Sequence, residues 1–170
     1  MNIFMEANTS QTSKVFEILQ RLNIEYTLHK HPPVYTVDEA QQYAEGIDGL
    51  HCKNLFLRDQ KGNQHFLVVT ENLKTIQIKE LGQKLGRGNL SFASSQRLLK
   101  YLCLEPGSVS PFGLINDIDH EVVLVLDLDL KKSRMINFHP NDNHMTLTMR
   151  YTDFEKFVQW TGNKVVELKI

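Results

Sequence analysis

Apolar residues recur at helical spacing from Ser10 to Leu22, where Val15, Phe16, Ile18, Leu19 and Leu22 fall on one face. Ahead of them Met1 to Ser10 is polar and reads as a short frayed tail. The pattern then alternates: Glu25 to His29 puts Tyr26 and Leu28 on one side, as a strand does. His31-Pro32-Pro33 breaks regular structure, and Thr36-Val37-Asp38-Glu39 is a capping box that opens a helix to about Glu45. Two strands follow, Lys53 to Arg58 and His65 to Thr70, joined through the hairpin loop Asp59-Gln60-Lys61-Gly62-Asn63. Ile78 to Leu85 predicts a short helix ended by Gly86 and Gly88. Ser94 to Leu102 predicts another, with Leu98, Leu99 and Leu102 inward, stopped at Glu105-Pro106-Gly107. The continuous apolar run within Glu121 to Leu126 predicts a central strand. Met135 to Phe138 and Met145 to Met149 are further strands. Thr152-Asp153-Phe154-Glu155 is a second capping box, opening a helix to about Trp160, and Lys164 to Leu168 is a last strand.

Strands and helices mix here without a strict βαβ repeat, and neither G-x-G-x-x-G nor a G-K-[ST] loop occurs. The expected class is therefore α+β, a mixed, mostly antiparallel central sheet surrounded by helices. With 170 residues, no internal repeat and no Gly/Ser linker, residues 1–170 read as a single domain. The N-terminus has no basic n-region or apolar h-region, and no apolar run approaches the ~20 residues of a membrane span, so the expected location is cytoplasmic. Cys52 and Cys103 lack C-x-x-C spacing and read as buried or partly buried reduced thiols.

Net charge is −1, but the charges are uneven. Between Lys74 and Lys100 the basic residues are Lys74, Lys79, Lys84, Arg87, Arg97 and Lys100, with Glu80 the sole acid. Asp117, Asp119, Glu121, Asp127 and Asp129 follow without a Lys or Arg between them. This asymmetry fits a local positive face on a near-neutral protein, and equally two solvated surfaces.

Three segments could carry chemistry. In Gly107-Ser108-Val109-Ser110-Pro111-Phe112-Gly113 the bends of Gly, Ser and Pro can aim consecutive amides at one anion or oxyanion, although an ordinary connecting loop has the same composition. Lys53 opens an apolar strand, where it could hold a phosphate or simply snorkel. Phe138-His139-Pro140-Asn141-Asp142-Asn143-His144 sets a His at a strand end. No H-E-x-x-H or Cys/His cluster accompanies His139 and His144, so zinc is discounted. Asp117, Asp119, His120 and Glu121 lack EF-hand spacing. Ser108 and Ser110 are not in G-x-S-x-G. His51 and Cys52, as strand neighbours, point apart.

Taken in order, these pieces resemble the YbaK and prolyl-tRNA-synthetase-associated editing domains, most closely the freestanding ProX/PrdX branch that removes alanine from proline tRNA. The matching segments are His31-Pro32-Pro33-Val34-Tyr35-Thr36, Lys53-Asn54-Leu55-Phe56-Leu57, Leu90-Ser91-Phe92-Ala93, Pro106 to Phe112, Ile115-Asn116-Asp117, Phe138-His139-Pro140, Asn143 and Thr146. The resemblance implies a sheet wrapped by helices and hydrolysis of an aminoacyl ester. It implies catalytic roles for Lys53, Gly107, Ser108, Pro111 and His139, and substrate-binding roles for Asn54, Thr36, Phe112 and Asn143. It implies no cofactor, no metal and no membrane. The implied partners are a mischarged tRNA, held at its acceptor end, and prolyl-tRNA synthetase. Asn141, Asp142, His144 and Gly113 depart from the branch's usual residues. Alternative readings are a Cys-tRNA deacylase of the YbaK branch, a non-catalytic tRNA- or synthetase-binding module, and a small-molecule hydrolase.

Overall fold

A computed structural model describes residues 3–33, 43 and 46–170, with the backbone alone for 3–10. The capping box at Thr36 lies outside the described residues, and of the helix expected after it Tyr43 alone, which is helical, lies within them. Helix α1 spans Ile3–Arg21. Its backbone is thus helical from Ile3, where a frayed tail is the expectation from sequence. Val15 and Leu19 are buried, as their spacing requires. Strand β1 is Tyr26–Lys30, β2 is Leu50–Asp59 and β3 is His65–Glu71. Helix α2 (Ile78–Lys84), strand β4 (Leu90–Phe92) and helix α3 (Ser95–Leu102) follow. Leu98 and Leu102 of α3 face inward, but Leu99 does not: it is 57% exposed.

A 3-10 turn over Pro111–Asn116 leads to β5 (Val122–Asp127), and a second over Leu128–Lys132 to β6 (Met135–Phe138). Strand β7 is Met145–Arg150, helix α4 is Tyr151–Thr161 and β8 is Val165–Leu168. The second capping box does not form. Arg150 precedes the helix without a side-chain cap, so Thr152 already lies inside it. The chain emerges from β7 straight into α4, which leaves no turn for Thr152 to cap. Cys103, expected to be buried or partly buried, is exposed where it ends α3 in the left-handed region at φ 52°.

The strand order is β1-β7-β6-β2-β3-β5-β8, with β4 beside β2. Pairs β1/β7, β6/β7, β2/β3 and β2/β4 are antiparallel; β2/β6, β3/β5 and β5/β8 are parallel. Strand β3 is buried on both faces: Leu67 and Val69 pack with α1, α3 and α4, and Phe66 and Val68 pack with α2. Burial on both sides explains the lack of polar alternation in its sequence.

Strand β2 joins two halves of the sheet. Leu50 and His51 pair with β6, while Cys52 to Arg58 pair with β3 on the other edge. Farther along the first edge, Leu57 to Asp59 meet β4. Between these pairings, among the described residues, the edge of β2 around Lys53 and Asn54 has no strand beside it. Parallel strands that part in this way leave a crevice beyond their carboxyl ends.

Candidate active site at the parting of β2 and β6

The site is built on alternation. His51 pairs with Asn137, Asn137 with Thr148, and His29 with Thr146. Opposed residues share a face, so these polar side chains line the face away from the core formed by Ile136, Phe138 and Leu147. Two residues farther along, Lys53 and His139 continue this face on either side of the crevice. Hydrogen bonds knit it together: His29 Nε2 with Thr148 Oγ1 (3.0 Å), Thr148 Oγ1 to Asn137 Oδ1 (2.6 Å) and His31 Nε2 with Thr146 Oγ1 (3.0 Å). The rings of His31 and His139 lie 5.9 Å apart between centroids.

Asn54 is one residue from Lys53 and therefore points to the opposite face. There its Nδ2 donates to the Val109 carbonyl at 3.0 Å. Ser110 Oγ then donates to the His139 carbonyl at 2.6 Å. The turn from Gly107 to Pro111 thus sits beneath the crevice, tied to β2 on one side and to the end of β6 on the other. Gly107 takes φ 92°, a left-handed value open to glycine at no steric cost. Ser110 also caps the 3-10 turn, accepting from Phe112 N at 3.2 Å. Ser108 N bonds Glu105 O, and Gly113 N bonds Ser110 O. Pro111 has no N–H. Among the described residues the amides of Gly107, Val109 and Ser110 have no backbone acceptor; Ser110 is wholly buried, which leaves those of Gly107 and Val109 as the candidates to meet a ligand.

The predicted site residues separate on this geometry. Lys53 and His139 flank the crevice, and Gly107, Ser108 and Pro111 form the turn below it. Asn54 anchors that turn. Phe112 is wholly buried, its ring edge-on to Phe138 and Phe157, so it supports the turn from underneath. Asn143 is buried in the loop after His139. Thr36 lies outside the described residues. The sequence gives no warning of His29, His51, Asn137 and Thr148: their shared face follows from strand register, which no local motif encodes.

Charge is set by burial. His139 is lowered to about 4, mainly by desolvation and next by the neighbouring His31, so its imidazole is neutral at pH 7. Desolvation also lowers Lys53. Lys53 has no carboxylate partner among the described residues; its ammonium donates to the Lys74 carbonyl. Cys52 faces the core, where burial raises its thiol. Among the described residues no group of three His, Cys, Asp or Glu side chains is placed to hold a metal. The carboxylate of Asp117 is taken up by the amides of Glu121 (3.1 Å) and Val122 (2.8 Å) and by Asn163 (2.6 Å).

The departures from the usual branch residues have local causes. Asp142 accepts from the backbone N of His144 at 2.9 Å and pairs with its ring at 2.7 Å, closing the loop after β6. Asn141 takes φ 62°, a conformation Asn tolerates better than most residues. At Gly113 a Cβ would stand 2.7 Å from Leu104 Cδ1 and 3.1 Å from Leu102 Cβ, so the space is taken by the end of α3.

Comparison with known proteins identifies the family. Residues 31–157 match the family described as the aminoacyl-tRNA editing domain. The chain is 48% identical to the prolyl-tRNA editing protein ProX of Acetoanaerobium sticklandii, over 88% of this chain and 93% of that one. It is 36% identical to prolyl-tRNA synthetase associated domain-containing protein 1 of Danio rerio, over 89% and 83%. A solved structure described as a candidate trans-editing enzyme for prolyl tRNA synthetase superposes with a TM-score of 0.69 at 17% identity, over 94% and 97% of the two chains, which establishes the shared fold. The chain belongs to the aminoacyl-tRNA editing domain family.

Proposed function

We propose that this protein is a trans-editing deacylase that hydrolyses the ester of alanine mischarged onto proline tRNA. The observation that carries the reading is the crevice itself. Among the described residues, it has a cation without a carboxylate partner on one wall, a neutral imidazole on the other and backbone amides without backbone acceptors beneath. That arrangement suits an RNA 3′ end bearing an aminoacyl ester.

In this reading Lys53 holds the phosphate or ribose of the terminal adenosine. Water adds to the ester carbonyl, and the oxyanion is met by amides of the Gly107–Ser110 segment. The bond from carbonyl carbon to ribose oxygen then breaks. The proton from water goes to that oxygen, and free alanine leaves. The neighbouring ribose hydroxyl orients the water, so no protein base is needed. His139, being neutral, hydrogen-bonds the aminoacyl end rather than acting as a cation. Asn143 and Thr36 complete the substrate contacts. Acyl-ester lability makes positioning and oxyanion stabilisation sufficient.

Such an activity has a physical rationale. A synthetase pocket shaped for proline discriminates against a smaller side chain by only ~1–3 kcal/mol per methylene, and a second, smaller site can remove the error. The test is a panel of Ala-, Pro- and Cys-charged tRNAs bearing the proline or cysteine anticodon. Selective loss of alanine supports the reading. Selective loss of cysteine moves the specificity to the Cys-tRNA branch, and no hydrolysis of any leaves a binding module. A terminal 2′-deoxyadenosine cleaved at an undiminished rate removes the ribose hydroxyl from the mechanism.

A further inference from the structure

Lys53 heads a second row that runs away from the crevice. Thr70 lies directly opposite it on β3. Thr70 Oγ1 donates to Asp127 Oδ2 at 2.7 Å, at the end of β5. The Asp127 side chain is wholly buried. Lys74, in the segment after β3, donates Nζ to Asp127 Oδ2 at 2.6 Å and to Asp129 Oδ2 at 2.8 Å. Its own carbonyl accepts from Lys53 Nζ. The segment is fixed at two further points, Lys74 N on Glu71 O and Asn72 N on His51 O.

We propose that Lys74 is a positioning residue for Lys53: its side chain occupies Asp127 and Asp129, and its carbonyl, so anchored, orients the Lys53 ammonium. The proposal rests on the reading that Lys53 holds the tRNA 3′ end. An ammonium has three donors. A neutral carbonyl uses one and leaves two, with the full positive charge, for a phosphate or ribose oxygen. A carboxylate in the same place would neutralise that charge. Asp127 lies two strands from Lys53, about 10 Å at the usual spacing, and an unpaired carboxylate there would compete for it. Lys74 removes that competition.

Lys74→Met alone leaves a buried unpaired carboxylate and is expected to lower stability. The informative variant is therefore Lys74→Met with Asp127→Asn, which deletes both charges. Denaturation and single-turnover deacylation are measured for this pair in the wild-type and the Lys53→Ala backgrounds. Where Lys53→Ala leaves no measurable rate, affinity for an acceptor-stem RNA ending in CCA is the parallel readout. The expected result is a denaturation midpoint recovered from that of Lys74→Met, a rate or affinity at least tenfold below wild type, and less than a twofold further change when Lys53 is already Ala. A recovered midpoint with wild-type rate and affinity overturns the proposal. So does a loss of the same factor in both backgrounds, which marks a purely structural role. Full activity of Lys53→Ala by itself overturns the role of Lys53 instead.

Discussion

Asn54 and Val109 are joined by a 3.0 Å hydrogen bond from the side-chain amide to the backbone carbonyl, and this bond fixes the turn beneath the crevice to the unpaired edge of β2. Because Asn54 points away from the face that carries Lys53, its part is to hold the turn's amides where a ligand can reach them. Asn54→Ala is expected to cost about 1 kcal/mol of stability, the size of one lost buried bond. Its deacylation rate should fall by far more than that loss explains. Equilibrium denaturation together with single-turnover kinetics checks both.

Ser110 is the matching tie on the other side. Its hydroxyl donates to the His139 carbonyl and accepts from Phe112 N. Ser110→Ala removes both and is expected to cost about 1–2 kcal/mol. His139 should lose order in the same variant, visible as broadening of its imidazole NMR signals.

Acid should destabilise the protein through its buried histidines. His139 and His65 are both lowered to about 4, from an unfolded value near 6.5. Burial is the leading cause in each, followed by His31 for His139 and by Arg97 for His65. The unfolded state binds these protons first. The stabilisation is therefore complete above about pH 6.5 and is lost as pH falls toward 4. His139 contributes up to about 3 kcal/mol to this loss. Its surroundings include His31 and His51, which oppose its protonation, and Asp142, which favours it. Denaturation midpoints across pH 4–7 should fall more steeply in wild type than in His139→Gln.

The basic stretch expected from sequence is divided by the fold. Lys74 is spent on Asp127 and Asp129, and Arg97 on the Gly62 carbonyl (2.9 Å) and the His65 ring (2.9 Å). Lys79, Lys84, Arg87 and Lys100 remain exposed. Charge reversal at Lys79 and Arg87 should weaken tRNA binding and reduce its salt dependence by roughly one unit of slope for each phosphate no longer neutralised. Titrations at several salt concentrations measure this, and an unchanged slope removes the patch from the RNA-binding surface.

Most strands and described helices were legible because their periodicity is strong: the buried run from Val122 to Leu126 and the face of Val15 and Leu19 needed no tertiary information. Strand β4 was not, since three residues carry no period, and its pairing with β2 is decided by contacts far along the chain. The capping box at Thr152 misled because a local motif loses when the preceding strand runs directly into the helix. At the site, Lys53, His139 and the Gly107 turn could be singled out from residue types and order. The opposite facing of Lys53 and Asn54 follows from alternation alone. The use of Lys74 against Asp127 could not be read, because the partners meet only through the pairing of β3 with β5, far apart in the chain, and a buried carboxylate looks like a solvated one in sequence.

The most direct test is alanine release from Ala-tRNA carrying the proline anticodon, measured under single turnover for wild type and Lys53→Ala, with Pro-tRNA as the control. Rapid loss of alanine with proline retained, slowed at least a hundredfold by Lys53→Ala (about 2.7 kcal/mol of transition-state stabilisation), is the predicted result. Equal rates for the two proteins, or equal loss of alanine and proline, would contradict the account.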